Sequence, residues 1–316
     1  MRILLATDGT PHARAAEEWV IGLPLAWTDS VSVVTVVPEE SWQKLGHVVD
    51  RSRDPQEDAR PERPSAAAEI AERVRERLAA RVRETGWMIR VGSPSEQILQ
   101  TIDEIRPDLV VIGCRGRNAR QRVVLGSVAE RVAREAACSV AVVRSTTTPQ
   151  RILLAVDQSF QARGAVEVLA RLPLPPDISI VMLAVMPPLK PAMLAAHTVD
   201  TSSGLLKIRE EERRLAQAIA RAAEGLFGSA GWRIDVRFAE GDPSKTIAEA
   251  AAQHGVDLIV VDAAPQCECA LPLASVARRT LRYARSSVLI ARAGQHVDAQ
   301  SKDSAATAVQ TSNRAA

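Results

Sequence analysis

At 316 residues, 46% apolar and 25% charged, with a formal net charge of +2, the chain has the make-up of a globular protein of about two domains. So small a charge gives no electrostatic ground for a nucleic acid or an anionic membrane as partner, and 3% aromatics leave few platforms for stacking bases. Four cysteines (Cys114, Cys138, Cys267, Cys269) are too few to staple so long a chain, and Cys267-Glu268-Cys269 lacks the second Cys/His pair of a zinc site.

The first predicted element is a strand, RILLAT (2–7). It begins with no charged n-region, long apolar stretch or cleavage site before it, and no apolar run in the chain approaches the ~20 residues of a membrane span. These features, with thiols expected to be reduced, point to a cytoplasmic protein. Thr10-Pro11 places a capping residue before a proline and starts a helix over 11–22. VSVVTVV (31–37) is the second strand. Residues 39–64, charged and holding three prolines, read as a mobile connection. A helix over 65–84 leads to a third strand at 86–91. Ser93-Pro94-Ser95-Glu96 is a capping box opening a helix over 95–105, and 108–113 is the fourth strand. A helix over 127–137, with Ser127 and Glu130 as a second capping box, precedes the fifth strand, SVAVVR (139–144). Short Val/Ile/Leu runs alternating with helices predict an α/β protein with a doubly wound, Rossmann-like parallel sheet covered by helices on both faces.

The pattern then starts again. RILLATD (2–8), GSPSEQI (92–98) and PDLVVIG (107–113) have counterparts RILLAVD, GDPSKTI and VDLIVVD, all offset by 149 residues. LGSVAERVAREAACSVAVVR (125–144) has LASVARRTLRYARSSVLIAR at an offset of 148. Two copies of one domain are therefore expected, over 1–145 and 150–293, followed by a polar, disordered tail over 294–316. Each copy ends in an apolar edge strand, which invites pairing of the two copies as a pseudo-dimer within one chain. Further association into a homo-oligomer is left open.

The stretch GCRGRNARQRVVLGSVAE (113–130) holds three of the chain's 16 glycines. It joins the end of the fourth strand to a helix N-terminus, at the edge of an open sheet where ligands bind. Glycine at 113 or 116 would let backbone approach a bulky anion. Gly126 would leave the N–H groups of Ser127, Val128 and Ala129 open, with Arg115, Arg117, Arg120 and Arg122 nearby. These are the parts of a phosphate cradle. They are equally the parts of an ordinary arginine-rich loop with a well-capped helix.

The spacing G-x2-G-x9-G-S, with ILLATDGTPHARAAEEWV before it and GSVAERVAREAACSVAVV around its end, resembles the nucleotide-binding signature of the universal stress protein family. The resemblance covers both copies and implies five parallel strands per copy in the order 3-2-1-4-5. It implies an ATP-binding regulatory module of the stress response. Asp8 would lie near adenosine, Val36 and Ile112 would wall the base, and Gly113, Gly116, Gly126, Ser127 and Val128 would hold the phosphates. Magnesium held mainly by those phosphates fits the same picture, with no metal site of the protein's own. The alternatives are an interaction scaffold that binds no nucleotide and a slow ATPase. Against a dedicated enzyme, the chain has neither a Ser-Gly-Gly-x-Asp-Ser loop nor a His-x-Gly-His motif, and its five histidines do not cluster.

The second copy departs from the signature. Asp262 stands for Gly113, Ala274 for Gly126, and AAPQCECALPL has no glycine for Gly116. A carboxylate near phosphates, and Pro265 and Pro272 lacking N–H donors, predict weak or no ATP binding there. The spacing of Trp87 and Gly92, against Trp232 and Gly241, further predicts a truncated third strand in copy one.

Overall fold

The computed structural model describes residues 1–40, 66–116, 125–156, 162–186, 231–263 and 275–292, with single positions between 210 and 227. Most of the proposed mobile connection and the whole tail from 294 onward lie outside them. Unit one runs β1 (Arg2–Ala6), α1 (Pro11–Gly22), β2 (Ser30–Val37), α2 (Ala66–Ala79), β3 (Glu84–Val91), α3 (Pro94–Ile105), β4 (Leu109–Gly113), α4 (Ser127–Glu135) and β5 (Ser139–Val143). Unit two runs β6 (Arg151–Val156), α5 (Ala162–Arg171), β7 (Ser179–Met186), β8 (Arg233–Glu240), α6 (Pro243–Gln253), β9 (Leu258–Asp262), α7 (Ser275–Tyr283) and β10 (Ser287–Ala291).

The ten strands of the described residues form one sheet in the order β3-β2-β1-β4-β5-β10-β9-β6-β7-β8. Each unit has the expected order 3-2-1-4-5 and is parallel throughout. Successive side chains of a strand leave on opposite faces, so β1 sends Ile3 and Leu5 to one core and Leu4 and Ala6 to the other. The first core takes Trp19 and Val20 from α1, Val74 and Leu78 from α2 and Leu169 from α5. The second takes Ile98 from α3, Val132 from α4, Ile247 from α6 and Leu281 from α7. Strands covered this way must be apolar on both faces, which is why they read as continuous Val/Ile/Leu runs.

The two units meet at the antiparallel pair β5 and β10, with Val142 opposite Val288, Ala141 opposite Leu289 and Val140 opposite Ile290. These six residues are buried, so neither unit leaves its apolar last strand as an open edge. Polar groups pin the register at both ends. The Ser139 hydroxyl accepts from the Arg292 N–H at 3.1 Å, and the Ser287 hydroxyl accepts from the Arg144 N–H at 3.1 Å. The guanidinium of Arg292 crosses to unit one and donates to the carbonyls of Ala133 (2.7 Å) and Cys138 (3.2 Å). Arg144 crosses the other way to the Leu281 carbonyl at 2.5 Å. Each arginine thus places a cation at the negative end of the other unit's last helix.

One expectation about the strands fails. β3 and β8 are both eight residues long and begin at equivalent positions, Glu84 and Arg233. The two tryptophans are not equivalent. Trp87 lies within β3, opposite Val33, and is exposed. Trp232 precedes β8, where its indole N–H donates to the Pro175 carbonyl at 3.1 Å and its ring lies 5.2 Å from that of Phe227. Counting from the tryptophans therefore made one strand look short.

Cys114 and Cys138 are free thiols. Burial pushes the Cys138 thiol up to about 11, against a partial opposing pull from Arg292. An unfolded cysteine titrates near 8.5, so from about pH 8.5 to 11 the unfolded chain releases a proton that the folded chain keeps. Stability is therefore expected to fall as pH rises through this window. Urea unfolding at pH 8 and 10.5 should show the wild type losing about 2 kcal/mol more than Cys138→Ala; equal losses would contradict it.

Candidate functional site

The site is built where β1 and β4 end side by side, in the crevice between two crossovers that leave the sheet. After β1 the chain turns through Thr7–Thr10 into α1. The Asp8 carboxylate accepts the Thr10 N–H at 3.1 Å and its hydroxyl at 2.7 Å. Thr10 in turn accepts the Ala13 N–H at 3.3 Å and caps the helix as expected, with Pro11 in the first turn. Thr7 accepts the Gly9 N–H at 3.2 Å and donates to the buried carboxylate of Glu17, whose other oxygen receives Arg73 at 3.3 Å. Gly9 sits at φ +74°, a conformation that favours glycine. This chain of bonds leaves the turn little freedom and fixes Asp8 at the rim of the crevice.

The β4–α4 connection is pinned at both ends. The Cys114 N–H donates to Val143 at 2.9 Å and the Gly126 N–H to the Cys114 carbonyl at 2.8 Å, so Gly126 returns to the start of the loop. A Cβ on Gly126 would lie 3.3 Å from both the Arg115 Cα and the Cys114 oxygen. Gly126, not Ser127, is the N-cap of α4, and as a glycine it brings no side-chain cap; the Glu130 N–H closes the first turn on the Gly126 carbonyl at 2.9 Å. The capping box expected of Ser127 and Glu130 is therefore not made, because Ser127 is already helical. The box at Ser93 is not closed either: Ser93 is the N-cap without a side-chain bond, and Glu96 pairs instead with Arg131 at 3.1 Å. In unit two Asp242 does cap α6, through the Lys245 N–H at 3.1 Å.

The glycines differ in what they do. A Cβ on Gly113 would lie 2.4 Å from the His12 carbonyl oxygen and 2.8 Å from the Ala13 nitrogen. Gly113 therefore lets α1 pack against β4, a reason for glycine at this position that needs no ligand. A Cβ on Gly116 would meet an Asp8 oxygen at 3.4 Å, ordinary contact. The space beside Gly116 is the crevice.

That crevice is a cavity of about 770 Å³. All eight residues singled out from the sequence line it: Asp8, Val36, Ile112, Gly113, Gly116, Gly126, Ser127 and Val128. Val34, Ile98 and Leu125 extend its apolar part, and Thr7, Arg115 and Glu130 its polar part. Val34 was detectable in the sequence, since it precedes Val36 by one strand period. Ile98 belongs to the neighbouring helix and carries no such signal. Among the described residues the Arg115 Nε is buried without a hydrogen-bond partner. Arg117, Arg120 and Arg122 lie outside the described residues. His12 lies below its ordinary titration range, first through burial and then through the Arg115 cation, with Asp8 opposing. It is neutral at pH 7, and its Nδ1 lies 3.6 Å from the Cys114 sulfur. The chemistry on offer is an apolar wall of Val34, Val36, Ile98, Ile112 and Leu125, a carboxylate at the rim, and a cationic donor without a partner among the described residues, beside a helix N-terminus whose first N–H groups have no acceptor within the helix.

In unit two β9 ends on Asp262 where β4 ends on Gly113. The Ala263 N–H bonds Ala291 at 2.9 Å, as Cys114 bonds Val143. Pro265, Pro272, Ala274 and the two remaining cysteines lie outside the described residues.

A model of the Universal stress protein family matches the chain twice, over residues 1–144 and 148–292. The chain belongs to the universal stress protein family. It is a tandem member, with the two matches falling on units one and two. A Staphylococcus aureus (strain USA300) protein named for the family is 27% identical over 148 residues, 46% of this chain and 86% of that protein. The crystal structure of a universal stress protein from Archaeoglobus fulgidus DSM 4304 shares the fold across both units, with a TM-score of 0.58 at 16% identity, covering 93% of this chain and 97% of that one. A universal stress protein in complex with cAMP matches at 20% identity and a TM-score of 0.31, covering 47% of this chain and 100% of that one. Among the described residues no helix is long and apolar enough to cross a membrane, and no three His, Cys, Asp or Glu side chains are grouped to hold a metal.

Proposed function

We propose that this tandem universal stress protein is a cytoplasmic regulatory module of the stress response that binds one ATP, in unit one, while unit two serves as a structural partner. The observation that carries this is the mouth of α4: a helix start capped by glycine, opening into a 770 Å³ cavity beside a buried arginine nitrogen that has no partner among the described residues. Anions suit such a helix end, because its dipole and its open N–H groups act in the same direction. The cavity lies in the ~300–1,000 Å³ range of small-ligand sites. Ser127, Val128 and Ala129 would offer main-chain N–H groups and Arg115 a cation to the phosphates. Val34, Val36, Ile98 and Ile112 would enclose the adenine, and Asp8 would accept from the ribose hydroxyls. Magnesium would come with the phosphates, whose oxygens it commonly prefers to an all-protein cage. In unit two the carboxylate of Asp262 at the matching strand end works against an anion.

Calorimetric titration with ATP tests this, with phosphate release followed in parallel. One site per chain and little turnover are expected. Two equal sites would remove the division of labour between units. Rapid turnover would make the protein an ATPase, and no heat at millimolar ATP would leave the scaffold function.

A further inference from the structure

Glu130 puts a carboxylate in a place that an anion-binding cavity does not favour. It lies one turn into α4 and lines the cavity. Side chains on a helix lean toward its N-terminus, so this carboxylate leans toward the end proposed to receive phosphate. Its ion-pair partner comes from the other unit: Arg282, in the last turn of α7, donates to a Glu130 oxygen at 2.8 Å.

The pair has no pseudo-symmetric twin. The counterpart of Glu130 is Arg278 and that of Arg282 is Arg134, so the equivalent pair would be two cations. Arg134 pairs with Glu135 at 2.5 Å instead. The bridge therefore exists on the side of unit one only, the side with the glycine cap and the cavity. The other arginines of α4 are engaged elsewhere, Arg131 with Glu96 and Glu135.

We infer that Arg282 is a positioning residue that unit two supplies to the anion subsite of unit one: it neutralises Glu130 and holds that carboxylate away from the ligand's phosphates. The inference rests on the proposed nucleotide binding and gives unit two a part in it. Because the bridge spans two separate units, anything that shifts α7 against α4 alters the affinity of a site to which α7 contributes no cavity wall among the described residues.

The test is a double-mutant cycle read by ATP titration. With Arg282→Ala, the unpaired carboxylate repels phosphate across a partly solvated gap, and ATP is expected to bind about three- to tenfold more weakly. With Glu130→Gln as background, adding Arg282→Ala should change affinity less than about twofold, since no charge remains to be neutralised. Arg282→Lys should keep most of the wild-type affinity. A loss that persists in the Gln background would assign Arg282 a packing role and overturn the inference, as would no loss at all in Arg282→Ala. A wild-type chain that binds no ATP would overturn the nucleotide proposal, and this one with it.

Discussion

Gly116→Val should bind ATP at least about 100-fold more weakly than the wild type while unfolding at nearly the same urea concentration. The two halves of this expectation have separate causes. Among the described residues a Cβ at 116 meets only an Asp8 oxygen within 4 Å, at 3.4 Å, and the residue's φ lies outside the left-handed region. Valine therefore asks little of the fold, and a change within about 0.5 kcal/mol is typical of such a position. Its two methyl groups, however, stand in the cavity that Gly116 lines, between Asp8 and the α4 mouth. A ligand excluded from that space loses its phosphate contacts, and about 3 kcal/mol of lost binding is a hundredfold in Kd. Titration and urea unfolding on one preparation decide the matter. Unchanged ATP affinity would show that the phosphates do not lie beside Gly116.

Gly113→Ala should do the opposite, lowering stability by about 2–3 kcal/mol. The added methyl would lie 2.4 Å from the His12 oxygen and 2.6 Å from the His12 carbonyl carbon. These are backbone atoms in the first turn of α1, which no rotamer change can move aside. Relief requires lifting α1 from β4, and α1 contributes Trp19 and Val20 to the core on that face. Urea unfolding followed by fluorescence, which the fully buried Trp19 reports, measures the loss. A stability change under 0.5 kcal/mol would mean that α1 shifts freely, and the close approach at Gly113 would lose its structural significance. The same motif thus holds one glycine that the cavity needs and another that the scaffold needs.

Local pattern was sufficient for much of this. The 149-residue repeat, the alternation of apolar runs with helices and the caps at Thr10 and Asp242 follow from the backbone's own periods and from side-chain bonds spanning three residues. So did the pairing of the last strands, because an apolar edge has few other fates. The eight residues that line the cavity were named through the resemblance that the glycine spacing carries, and they lie at strand ends and a helix start, which the topology brings to one edge of the sheet. What pattern could not assign was the work each residue does. Whether a glycine makes room for a ligand or for His12, whether Ser127 caps α4 or already lies within it, and whether Trp87 matches Trp232 depend on neighbours that sequence spacing does not encode. Arg144 and Arg292, capping each other's helices, and Arg282 on Glu130 join residues more than 130 positions apart. A charged side chain reads alike on any exposed helix face. It acquires a role only when folding brings one unit's helix end against the other's and fixes which charges must share a space.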